Sequence, residues 1–188
     1  ARTGEIMFGL NLVVNKGKTI FVADTSVHEW PTSQQLSEIA ISASRVVRLF
    51  GFDPKVAFVS HSTFGQPVTS RTEQIREAVE ILKNKKVDFE FDGDMQPDVA
   101  LNEEYKKLYP FSKIVGNANI LIMPGQHAAS ISYKMIKAFG DSKVIGPLLI
   151  GLGLPIEIAP LRCSTSEILN LASIAAYSSD IINYNLKS

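Results

Sequence analysis

The chain has 188 residues, 45% hydrophobic and 20% charged, with 19 basic and 19 acidic side chains. That length supports one domain with a sizeable core, and the even charge balance gives no electrostatic case for nucleic acid or a membrane surface. The single cysteine, Cys163, excludes an internal disulfide and suits a reducing, cytoplasmic compartment.

No apolar run approaches the roughly 18–20 residues of a membrane-spanning helix. The opening residues Ala1-Arg2-Thr3-Gly4-Glu5 carry no secretory pattern and no initiator Met, as expected of a piece of a longer or processed chain. Met7–Val14 and Thr19–Ala23 are apolar runs joined by Asn15-Lys16-Gly17-Lys18. They predict a hairpin at one edge of a sheet, with Asn15 and Gly17 in the positive-φ positions. Thr32 and Gln35 have capping-box spacing at the start of a helix. Its apolar face is Leu36, Ile39, Ala40, Ala43, Val47 and Phe50, and Gly51 ends it. Lys55–Ser60 reads as a buried strand, and Ser70 with Glu73 as a second capping box ahead of Ile75, Ala78, Val79 and Leu82. Val87–Phe91 is a strand, Pro97–Leu101 a short helix, Asn119–Met123 a strand buried on both faces, and Ala128–Phe139 a helix. Pro147–Ile150 and Pro155–Ile158 are two strand candidates. A last helix runs from Ser164 to about Ile182, with Ile168, Leu171, Ala172, Ala175 and Ile182 facing inward. This alternation predicts a largely parallel sheet with helices on both faces.

Isolated motifs carry little chemistry. Gly17-Lys18-Thr19 has Leu12 where a phosphate loop needs its first glycine and leads into a strand, so a hairpin turn explains it. Gly151-Leu152-Gly153 has Ile156 where a dinucleotide fingerprint needs its third glycine. Asp92, Asp94 and Asp98 follow a strand; capping aspartates in a solvated loop are the expectation, with no metal. His28, His61 and His127 have no ligand spacing, and Cys163 has no assignable histidine base. Ser164 and Glu167 form a capping box at the last helix.

Several runs, in order, carry a resemblance. They are Ala23-Asp24-Thr25-Ser26-Val27, Pro31-Thr32, Glu38-Ile39-Ala40-Ile41, Lys55-Val56-Ala57 and Ser60-His61-Ser62-Thr63. Asp92-Gly93-Asp94-Met95-Gln96 with Asp98, Pro110-Phe111-Ser112, Gly116-Asn117-Ala118-Asn119, Tyr133-Lys134 and Ile145-Gly146-Pro147 continue the series. The chain resembles the C-terminal part of the phosphate acetyltransferase family, in the form fused to bacterial hybrid malic enzymes. The resemblance implies an α/β fold: an αβα sandwich with a mostly parallel sheet, of the isocitrate/isopropylmalate dehydrogenase-like kind. It implies that residues 1–147 form the second lobe and 148–188 return to a first lobe that is otherwise missing. It also implies a homodimer or higher oligomer and an acetyl-CoA cleft. Ser60, Ser62, Thr63, Ile145, Gly146, Pro147 and Arg162 are its expected walls.

The same resemblance implies lost catalysis. Counting without gaps from Gly146-Pro147 to Ile168, the family's Ser falls on Pro160, its Arg on Leu161, its Gly on Arg162 and its catalytic Asp on Glu167, while Cys163 and Ser164 match. A one-residue slip returns Arg162 to the cationic role but puts the Ser position on Leu161. Acyl transfer needs a base for the CoA thiol and a cation for phosphate and developing oxyanion. Proline and leucine supply neither. The expectation is a regulatory and dimerisation region of an NADP-dependent malic enzyme, binding acetyl-CoA and needing no cofactor of its own. NADP and Mg or Mn would belong to the upstream malic-enzyme domain. The alternatives are a divergent phosphate acetyl- or butyryltransferase, and an assembly domain that binds nothing.

Overall fold

The hairpin forms from strands β1 (Phe8–Asn15) and β2 (Lys18–Ala23). Its turn is Lys16-Gly17, with φ of 46° and 77°. Positive φ therefore falls on Lys16, not on Asn15, which stays in register opposite Lys18. The computed structural model describes residues 5–65 and 68–185, with side chains to residue 177. The expected inward position Ile182 and the opening residues 1–4 lie outside those limits.

Helix α1 (Ser33–Leu49) starts on the expected box: Thr32 Oγ1 accepts from Gln35 N at 3.2 Å and Gln35 Oε1 from Thr32 N at 2.8 Å. Leu36, Ile39, Ala40, Ala43 and Val47 are buried against the sheet. Burying each larger member contributes about 1.5–3 kcal/mol. Strand β3 (Lys55–Val59) follows, then helix α2 (Ser70–Lys85). The cap of α2 is Thr69 with Thr72, one residue before the expected Ser70 and Glu73. Thr72 is buried on the same face as Ile75, so its hydroxyl must find a partner, and Thr69 supplies it.

Strand β4 is Glu90–Met95, shifted from the expected Val87–Phe91. Acidic residues enter this strand because their oxygens are satisfied: Asp92 accepts from Lys113 N at 2.7 Å, and Asp94 from Arg76 Nε at 2.9 Å and from the Ser62 hydroxyl. Gly93 allows the close approach, since a Cβ there would lie 2.7 Å from the Phe58 carbonyl. Helices α3 (Pro97–Leu101) and α4 (Glu103–Lys106), strand β5 (Ile120–Ile122) and helix α5 (Gln126–Phe139) come next. The expected Pro147–Ile150 segment is the second half of a longer strand, β6 (Lys143–Ile150). Residues Pro155–Ile158 make only an isolated bridge, Glu157 to Leu148. Helix α6 (Thr165–Asn185) closes the described chain. Leu171 is its one buried side chain among those described, whereas Ile168 and Ala172 are exposed.

The sheet order is β4-β3-β5-β2-β1-β6. Pairings β3–β4, β3–β5 and β2–β5 are parallel, while β1 is antiparallel to both β2 and β6. The sheet is therefore mixed, with β1 running against the other five strands. The hairpin sits inside the sheet, not at an edge, because β6 adds outside β1. Pro147 is tolerated there because β6 is an edge strand and its pairing with β1 shifts register between Leu10 and Leu12. One core packs α1, α2 and Leu171 of α6 on one face, and a second packs α3 and α5 on the other.

Candidate functional site

The bulge at Gly146-Pro147 opens the edge of the sheet beside α5 and α6. A cavity of about 330 Å³ lies there. Its walls are Tyr133, Lys134 and Lys137 from α5, Val144–Pro147 from β6, and Pro160, Cys163 and Glu167 with the next turn of α6. The Cys163 N–H donates to the Pro160 carbonyl at 3.0 Å, which turns the chain into α6.

Glu167 is fully engaged. It accepts from Lys137 Nζ at 2.7 Å, and from both Ser164 N and Ser164 Oγ at 2.8 Å. The Lys137 ammonium first, then the Ser164 N–H and hydroxyl, hold its carboxyl down at about 2. An ionised carboxylate so low, tied to a helix cap, is badly matched to taking a thiol proton near neutral pH. Lys137 pairs with Glu167, so Lys134, 5.8 Å from the Tyr133 ring, is the lining cation with no carboxylate partner among the described residues. Leu161 points fully into solvent and Arg162 is exposed; neither lines the cavity. What the cleft can do is hold an anionic ligand against apolar walls.

The residues expected to share one cleft are divided. Ile145, Gly146 and Pro147 line this cavity, but Ser60, Ser62 and Thr63 follow β3, four strands away, about 19 Å at the usual strand spacing. Ser62 is committed to Asp94, and Thr63 Oγ1 accepts from Gln96 N at 3.0 Å. Asp94 is held low despite burial by its bonds from Arg76 and Ser62, so this network fixes the loop. Ser60 lines a different cavity, beside Trp30 and Met123. Among the described residues, no cluster of three or more His, Cys, Asp or Glu is placed to hold a metal ion. The roles of Lys134 and Lys137 were missed in the sequence; their three-residue spacing on an amphipathic helix was the available signal.

A sequence model of the family described as phosphate acetyl/butaryl transferase matches residues 1–176. The chain is 47% identical over 176 residues to an NADP-dependent malic enzyme of Rhizobium meliloti, covering 94% of this chain and 23% of that one. It is 34% identical over 166 residues to a phosphate acetyltransferase of Bacillus subtilis, covering 87% of this chain and 51% of that one. A solved phosphotransacetylase from Streptococcus pyogenes matches with a TM-score of 0.87 at 31% identity, covering 93% of this chain and 54% of that one. The chain thus spans about a quarter of that malic enzyme and about half of the two transferases.

Proposed function

The chain belongs to the phosphate acetyl/butaryl transferase family, and from that premise we propose that it is the non-catalytic, acetyl-CoA-binding and dimerising region of a longer NADP-dependent malic enzyme. That parent would decarboxylate malate oxidatively to pyruvate in the cytoplasm, holding NADP and Mg or Mn in an upstream domain. The observation that carries the reading is a cleft with walls but no transfer chemistry. On the gap-free count Pro160 falls at the family's serine and the solvent-exposed Leu161 at its arginine, while Glu167 is held by Lys137 and Ser164. The finer fold assignment, of the isocitrate/isopropylmalate dehydrogenase-like kind, with residues 1–147 as one lobe and 148–188 returning to another, belongs to this same reading.

Regulation follows if acetyl-CoA binds one arrangement of the parent more tightly than another. Acetyl-CoA is expected to lower malate-dependent NADPH formation by the parent, and Lys134→Ala within this region to weaken that response. A response unchanged by Lys134→Ala sinks the assignment of the cleft. A second reading, a divergent phosphate acetyl- or butyryltransferase, rests on Cys163 and Ser164 at family positions and on the half-length match to transferases. Acyl phosphate formation from acyl-CoA and phosphate would select it.

A further inference from the structure

The neighbouring strands β3 and β5 send their chains to opposite faces: β3 leads to α2 in the first core, β5 to α5 in the second. In open α/β sheets, the crevice beyond the strand ends at such a parting point is where ligands bind. The crevice here has a volume of about 640 Å³, within the usual range of small-molecule sites. Trp30, Ile75 and Met123 give it apolar walls.

Its polar groups suit an anion. The Arg71 guanidinium lies 3.9 Å from the centre of the Trp30 ring. Arg71 is pinned by donating to Gln74 Oε1 at 2.8 Å, and Gln74 in turn donates to the Pro31 carbonyl at 2.7 Å. Among the described residues no carboxylate pairs with Arg71, so a preorganised charge stands uncompensated at the crevice. Ser60 is only 9% exposed; its oxygen accepts the Ser62 N–H, and its own proton has no acceptor among the described residues. His61 lines the same crevice. Glu29, its one carboxylate among the lining residues, contacts His127 Nε2 at 3.0 Å on the exposed rim.

We propose that this crevice is a ligand site separate from the β6 cleft, taking a nucleoside phosphate with its base on the Trp30 ring face that Arg71 leaves open and its phosphate at Arg71, His61 and Ser60. A planar base suits the aromatic wall, and a guanidinium fork suits phosphate oxygens. Free nucleotide and the nucleotide end of coenzyme A share this chemistry.

Trp30 is the chain's single tryptophan and is 66% exposed, so intrinsic fluorescence reads this site directly. ADP titrated into the 188-residue chain is expected to change Trp30 emission saturably, with matching heat in calorimetry. Arg71→Ala, checked for native circular dichroism, should weaken binding by about tenfold or more. Lys137→Ala, at the β6 cleft, should leave ADP binding unchanged. Coenzyme A that competes with ADP assigns the site to its nucleotide end, and coenzyme A that does not compete assigns it to free nucleotide. No saturable signal and no heat at millimolar ADP overturns the proposal. So does inorganic phosphate binding as tightly as ADP, or a folded Arg71→Ala that binds ADP normally.

Discussion

Glu157 lies against β6 with Oε2 buried and without a partner among the described residues, and burial pushes its carboxyl up to about 7 from the ordinary 4.5. Between those values the folded chain binds more protons than the unfolded one, so stability is greatest below 4.5 and falls as pH rises through the window to about 7. Glu157→Gln should remove that slope and raise stability at about pH 8 by on the order of 2 kcal/mol, read by urea unfolding of both proteins at acid and alkaline pH. Asp24, by contrast, is fully partnered. Its buried carboxylate accepts backbone N–H groups from Gly9 at 2.8 Å, Ser26 at 2.8 Å, Val27 at 3.1 Å and His28 at 2.7 Å. Asp24→Ala strands those donors and should cost about 3 kcal/mol or more in the same assay. The run Ala23–Val27 was legible as a family feature, but its structural job was not. Sequence alone does not say that Gly9, fifteen residues upstream, donates to Asp24. Arg71 and Trp30 were illegible for the same reason: no motif joins residues so far apart.

Helix α1, which carries its own signals, was read well. The α1 box and apolar stripe need only local spacing, and they fall where expected. Segments decided by pairing were read less well. Strand β4 slid past its expected end because β3 pairs with it through Met95, and its aspartates find donors elsewhere in the fold. The hairpin turn was placed correctly, but the positive φ at Lys16 shows that strand register chose the residue against local preference. Lys16→Asn, giving Asn-Gly in a two-residue turn, should therefore stabilise the chain by about 0.5 kcal/mol, measured as a small rise in Tm. An unchanged or lower Tm would mean that Lys16 pays no conformational penalty there.

Across the whole molecule, strand order separates what chain order had grouped. Ser60–Thr63 and Ile145–Pro147 were expected on one cleft, and nothing in the sequence says that β5, β2 and β1 lie between them. The two openings have different chemistry. The β6 cleft pairs Lys137 with Glu167 and leaves Lys134 on an apolar wall, whereas the β3–β5 crevice presents, on an aromatic ring, an arginine with no carboxylate partner among the described residues. The first is proposed to bind acetyl-CoA without turning it over. The direct test is calorimetry of acetyl-CoA on the 188-residue chain, run beside an assay for acetyl phosphate from acetyl-CoA and phosphate. The account expects saturable heat that weakens in Lys134→Ala, with no acetyl phosphate formed. Acetyl phosphate formation, or no heat at saturating acetyl-CoA, would contradict it.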